Sequence, residues 1–88
     1  MAQVKELVRT GTKVGLSKTA LAALVGTSRQ SLYAWLDGQP LRAENGVKVG
    51  VWLERLTVIA NNPRLIERLA DLPHITPAAV KELIEVKE

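Results

Sequence analysis

The chain has 88 residues and a formal net charge of +3, enough for one domain with a modest core but not for an additional sensor domain. It contains no cysteine and a single histidine, so we expect no disulfide, no cysteine- or histidine-based metal site and no cofactor. It has neither an apolar run of about 18 residues nor a signal-like N-terminus, which predicts a cytoplasmic protein with no membrane contact.

Charge is distributed unevenly along the chain. No Asp or Glu occurs between Leu7 and Leu36, whereas four basic residues fall there, and the last twenty residues contain more acidic than basic side chains. A basic N-terminal half favours contact with a polyanion. Taken alone, an unevenly charged but merely solvated surface explains the pattern equally well.

The N-terminal segment is predicted to form the first helix, over about residues 2–14, because its apolar residues recur at three- and four-residue spacing. Gly11 weakens the second half of this helix, and Gly15 is well placed to end it. Ser17 is then predicted to cap a second helix over residues 18–25.

Residues 15–38 have the internal spacing of a helix-turn-helix. Ala22 is small enough to let two helices approach, and Gly26, four residues later, permits the positive φ of a tight turn. Leu32 and Trp35 are predicted to pack a third helix onto the core, which leaves the opposite face of that helix exposed. In a small basic protein we expect this face to read the major groove of DNA.

The third helix is predicted to begin at Thr27 and to end near Leu36. Gln30 follows Thr27 by three residues, the spacing of a capping box in which each side chain bonds the backbone amide of the other residue. Residues 37–40 are predicted to form a turn, after which Asn45 caps a fourth helix. The apolar set of that helix is Val49, Trp52, Leu53, Leu56, Ile59 and Ala60.

The rest of the chain is also predicted to be helical. Residues 47–51 are a weak helix former because they combine three valines with a glycine. Two short helices are predicted over residues 63–72 and 77–86, each opening with proline. The fold class is therefore all-α, a compact bundle of about five or six short helices, with a DNA-binding core over residues 1–62 and a helical tail of the same domain over residues 63–88.

Arg29 and Gln30 are the leading candidates for reading bases. An arginine can chelate O6 and N7 of guanine, and a glutamine can pair with N6 and N7 of adenine. Arg29 can instead clamp a phosphate, and Gln30 can serve only as a cap. Three roles are open for Tyr33, one turn further on: a phosphate contact, a contact with a thymine methyl, or cover for the helix.

Phosphate contacts are predicted around the reading helix. Lys18 begins the second helix, where a positive charge and free backbone amides meet at one place, and Ser17 can join it besides capping the helix. The remaining candidates, for which capping or plain solvent exposure is the alternative, are Ser28, Ser31, Arg42 and Lys48.

The tail carries two apolar stripes, which we expect to pair two copies of the chain. Two-fold pairing places two reading helices about 34 Å apart, one turn of DNA. The alternative is that these side chains are buried within a single chain. The predicted pairing residues are Leu65, Ile66, Leu69, Leu83 and Ile84.

Residues 15–39, GLSKTALAALVGTSRQSLYAWLDGQ, resemble the helix-turn-helix of the Cro and phage-repressor (Xre-like) family. The resemblance covers about residues 4–56 and lies in the Gly-Leu-Ser start, the Leu-Ala pair, the Gly turn and the Trp before a short Gly-containing loop. It implies a homodimer that binds an inverted-repeat operator, typical of a plasmid or phage repressor. By position it implies base reading by Ser28, Arg29, Gln30 and Tyr33, and phosphate contacts by Ser17 and Lys18.

Three functions are compatible with these features. The first is a sequence-specific transcriptional repressor that occupies a double-stranded DNA operator. The second is an antitoxin-like or co-regulator protein whose tail binds a partner protein while the helix-turn-helix provides autoregulation, and the third is a helical interaction domain that never contacts DNA. We expect no enzyme, because the sequence offers no Ser-His-acid set, glycine-rich phosphate loop or carboxylate cluster.

Overall fold

The computed structural model describes residues 2–85, and all of their regular secondary structure is helical, which confirms the predicted all-α class. None of the described helices is long and apolar enough to cross a membrane. The predicted end of the last helix at Val86 lies outside the described residues. The helices are α1 (Ala2–Lys13), α2 (Lys18–Val25), α3 (Arg29–Leu36), α4 (Ala43–Ala60), α5 (Pro63–Ala70) and α6 (Pro77–Glu85).

Helices α1 and α4 form the centre of the bundle and make the most extensive contact between any two helices. Helix α1 also contacts α2 and α3, whereas α4 also contacts α2, α5 and α6. Among the described helices, α3 approaches only α1 and α2. The third helix therefore lies at the edge of the bundle, with one side free.

The core is a single apolar cluster to which every helix contributes. Trp35 and Trp52 belong to it, each with 6% of its surface exposed, so their predicted core packing is confirmed. No charged or polar residue is buried among the described residues, so apolar burial is the main stabilising term. The side chains with no exposed surface are Val4, Leu7, Leu21, Leu32, Val49, Leu56, Ile59 and Val80.

The two C-terminal helices are part of this core. Leu65, Leu69 and Leu83 are buried within the single chain, and Ile66 and Ile84 pack against the same cluster while remaining partly exposed. The apolar residues predicted to pair two copies are thus largely used inside one copy. Pairing through the tail would have to rely on what Ile66 and Ile84 leave exposed.

Glycines form the two turns that frame α2. Gly15 and Gly26 have φ of 90° and 86°, a left-handed conformation that residues with a Cβ rarely adopt. At the end of α2, the amide of Gly26 donates to the Ala23 carbonyl (3.2 Å) and the amide of Thr27 donates to the Ala22 carbonyl (2.9 Å). These two bonds make a Schellman motif, which ends the helix and turns the chain towards α3.

The predicted capping box of Thr27 and Gln30 is wrong. The N-cap of α3 is Ser28, whose hydroxyl accepts a hydrogen bond from the amide of Ser31 at 3.0 Å. Because Thr27 already closes the end of α2, the start of α3 moves one residue along the chain. Gln30 consequently lies in the first turn of α3, exposed and without the predicted capping role.

The predicted cap of α4 by Asn45 is also wrong. Helix α4 begins at Ala43, three residues earlier than a cap at Asn45 would place its start, and its N-cap, Arg42, makes no side-chain capping bond. Leu41 packs against the core just before this point, so the chain can enter the helix at once. Glu44 in the first turn stabilises the start of the helix, because its negative charge is attracted to the positive end of the helix dipole.

Three helical glycines have different surroundings. A Cβ at Gly11 would lie 2.6 Å from the Leu21 side chain, so this glycine allows α1 and α2 to pack closely. A Cβ at Gly46 or Gly50 of α4 would meet nothing, although each glycine costs about 1 kcal/mol relative to alanine in a helix. The weak segment of α4 is nevertheless helical, because the buried side of the helix anchors it to α1.

Candidate nucleic-acid interface

The outer face of α3 is formed by polar and aromatic side chains. Leu32 is fully buried and Trp35 nearly so, which fixes the rotation of the helix. Arg29, Gln30 and Tyr33 are exposed as a result, and Tyr33 leaves 44% of its surface in solvent. Arg29 and Tyr33 are four residues apart and therefore lie on the same side of the helix.

Helix α2 adds a positive charge to this face. The Nζ atom of Lys18 lies 6.0 Å from the centre of the Tyr33 ring, at the outer limit of a cation–π interaction. Lys18 is the first residue of α2, whereas Tyr33 is in the middle of α3. The crossing of the two helices thus brings Lys18, Arg29 and Tyr33 to one surface.

Two serines of this region, Ser17 and Ser28, cap the N-termini of helices. The Ser17 hydroxyl accepts a hydrogen bond from the Ala20 amide at 3.1 Å, which confirms its predicted capping role. The Ser28 hydroxyl caps α3 and also donates to the Ser31 hydroxyl at 3.0 Å. The hydroxyl of Ser28 is therefore used at the end of α3, and Ser31 is half-buried beside it.

The segment of the chain that forms this face, between Leu7 and Leu36, contains no Asp or Glu. The nearest acidic residue before it, Glu6, lies on α1 and forms a 2.8 Å ion pair with Arg9, and the next, Asp37, follows the end of α3. The positive ends of the α2 and α3 helix dipoles also lie at the N-caps of these helices, Ser17 and Ser28. The electrostatic character of the surface is therefore positive, as an anionic ligand requires.

Two of the predicted phosphate-contacting residues stand apart from this group. Lys48 is exposed on α4, and α4 does not contact α3. Arg42 is exposed at the start of α4, beyond the turn that follows α3. Neither residue has a contact that joins it to the cluster of Lys18, Arg29 and Tyr33.

Comparisons of the chain with models of known protein families, with curated proteins and with solved structures gave no match. The resemblance of residues 15–39 to phage-repressor helix-turn-helix segments remains an expectation. The geometry and charge of the α2–α3 surface are therefore the features from which a function is inferred.

Proposed function

We propose that this protein binds double-stranded DNA through the outer face of α3 and acts as a sequence-specific transcriptional regulator, in the first instance a repressor. A glycine turn at Gly26 joins two short helices, and the second lies at the edge of the bundle with Arg29, Gln30 and Tyr33 in solvent. Lys18 adds a positive charge beside Tyr33, and no Asp or Glu occurs between Leu7 and Leu36.

The dimensions of α3 support this proposal. An α-helix with its side chains is about 10–12 Å across, and the major groove is about 12 Å wide. Because α3 contacts only α1 and α2 among the described helices, its outer face can enter the groove without displacing another helix. The N-terminus of α3 then faces the negatively charged DNA with the positive end of its dipole.

In this proposal the residues divide into two roles. Arg29 and Gln30, in the first turn of α3, contact base edges, since both have planar groups that form paired hydrogen bonds with purines. Lys18 contacts a phosphate and sets the position of the helix on the duplex. Tyr33, whose ring centre is 6.0 Å from Nζ of Lys18, contacts the DNA beside them.

The proposal is tested by selection from a pool of random duplexes. The wild-type chain should enrich a common sequence over successive rounds, because base contacts discriminate between sites. The doubly substituted variant Arg29→Ala/Gln30→Ala should bind without enriching that sequence. A pool that stays random with the wild-type chain would contradict the proposed function.

A further inference from the structure

Tyr33 is the large apolar side chain of α3 that the fold leaves exposed. It keeps 44% of its surface in solvent, whereas Leu32 and Trp35 of the same helix keep 0% and 6%. Apolar surface that the chain does not bury can instead be buried against a ligand. On this side of α3 the proposed ligand is DNA.

The position of Tyr33 on the helix decides which part of the DNA it meets. Tyr33 lies on the same side of α3 as Arg29, one turn further along. Because Arg29 is proposed to contact base edges, Tyr33 faces the base edges as well. The phosphate contact beside it is assigned to Lys18, which belongs to α2 and whose Nζ lies 6.0 Å from the Tyr33 ring centre.

The base edges in the major groove differ in what they offer an aromatic ring. Adenine, guanine and cytosine present hydrogen-bond donors and acceptors there, whereas thymine also presents an apolar group, its C5 methyl. A ring that covers a donor or acceptor removes its hydrogen bonds to water without replacing them. A ring that covers the methyl group buries apolar surface on both sides. Thymine is therefore the base that fits best under Tyr33.

We propose that Tyr33 is a specificity-determining residue that contacts the C5 methyl group of a thymine. The contact rests on the proposed DNA binding through α3 and names one base of the recognised sequence. Four residues of a helix span about 6 Å, and successive base pairs are about 3.4 Å apart. The thymine thus lies within about two base pairs of the base that Arg29 contacts.

A phosphate contact through the Tyr33 hydroxyl is the alternative. That contact would need the hydroxyl and no particular base, whereas the proposed contact needs the ring and the methyl group of thymine. The two can be separated by removing the hydroxyl from the protein or the methyl group from the DNA.

Uracil in place of thymine removes the methyl group from the DNA. Uracil pairs with adenine as thymine does and lacks only the C5 methyl. Each thymine of the selected duplex is replaced in turn, and fluorescence anisotropy gives the Kd of the wild-type chain. At a thymine within about two base pairs of the Arg29 contact, we expect uracil to weaken binding about fourfold, the effect of one buried methyl group.

Substitutions in the protein assign this effect to the ring. Tyr33→Ala should bind the thymine and uracil duplexes equally, whereas Tyr33→Phe keeps the ring and should keep the fourfold difference. Lys18→Ala is the matched control, because it should weaken binding to both duplexes by the same factor and leave their ratio unchanged. Circular dichroism checks that all three variants are folded.

A selected site in which no thymine is sensitive to uracil would overturn the thymine contact, and so would a sensitivity that persists in Tyr33→Ala. Loss of the difference in Tyr33→Phe would overturn it in favour of the hydroxyl. Each of these results leaves sequence-selective binding intact, so the proposed function would stand. A wild-type chain that enriches no sequence would overturn the proposed function and the thymine contact together.

Discussion

Lys18 and Arg29 both lie beside Tyr33 on the proposed DNA face, yet we expect their contributions to differ in kind. Lys18 is a flexible point charge beside the Tyr33 ring, which suits a phosphate. Arg29 has a planar group on the first turn of α3, which suits the paired acceptors of guanine. One residue should therefore set general affinity and the other sequence preference.

Alanine substitutions separate these roles in binding titrations at several salt concentrations. Arg29→Ala should lower the preference for the selected duplex over a scrambled one by about 1–3 kcal/mol. Lys18→Ala should weaken both duplexes alike and reduce the salt slope by about one. Lys81→Ala, on an exposed position of α6, is the control, and equal effects of Lys18→Ala and Arg29→Ala on preference would show that the division is mistaken.

The sequence predicted which side of α3 is buried, but it did not predict which residues of other helices lie beside the exposed side. Leu32 and Trp35 could be assigned to the core because apolar spacing on one helix is a local property. The approach of Lys18 to Tyr33 depends on how α2 crosses α3. Residue spacing along the chain does not determine that crossing. The close packing allowed by Gly11 against Leu21 depends in the same way on a contact between helices.

The two wrong cap predictions, at Thr27 for α3 and at Asn45 for α4, have local causes. Thr27 was predicted to start α3, but its amide closes α2 by bonding to the Ala22 carbonyl. Asn45 was predicted to start α4, but the helix begins without a side-chain cap. Cap patterns in a sequence therefore identify a helix start only when the preceding element leaves that residue free.

The shifted cap of α3 can be tested by its effect on stability. Ser28→Ala removes the acceptor of the Ser31 amide and should lower the free energy of unfolding by about 1 kcal/mol. Thr27→Ala is the matched control and should have a smaller effect, since only its backbone participates in the turn. Urea denaturation measures both, and a larger loss in Thr27→Ala would restore the capping box.

The turn that orients α3 depends on one backbone conformation. Gly26→Ala places a Cβ at φ of 86° and should destabilise the fold by about 1–2 kcal/mol. Gly46→Ala is the control, because it lies in a helix with open space around it; it should stabilise the fold by up to about 1 kcal/mol. Thermal denaturation compares the two, and the same sign of change in both would be inconsistent with the left-handed turn.

The tail is a structural part of the whole bundle. Helix α5 contacts α4, and α6 contacts α2, α4 and α5. The sequence predicted both helices and their apolar stripes, but not whether one chain or two would bury them. That outcome depends on whether the core has room for the stripes, which is a property of the assembled bundle.

Removing a single tail side chain should therefore weaken the entire fold. Leu69 is 1% exposed, and Leu69→Ala should cost about 2–5 kcal/mol of unfolding free energy. Leu72→Ala, at a partly exposed position of the same segment, should cost less. Chemical denaturation gives both values, and an unchanged midpoint for Leu69→Ala would mean that the tail is not part of the core.

Fluorescence anisotropy with labelled DNA measures directly what the α3 face recognises. The wild-type chain is titrated into the selected duplex and into a scrambled duplex of the same composition, each at several salt concentrations. We predict a preference for the selected duplex and, for both, an affinity that falls steeply with salt as phosphate counterions are released. Equal affinity for the two duplexes, or no binding even at low salt, would show that the α3 face does not read a DNA sequence.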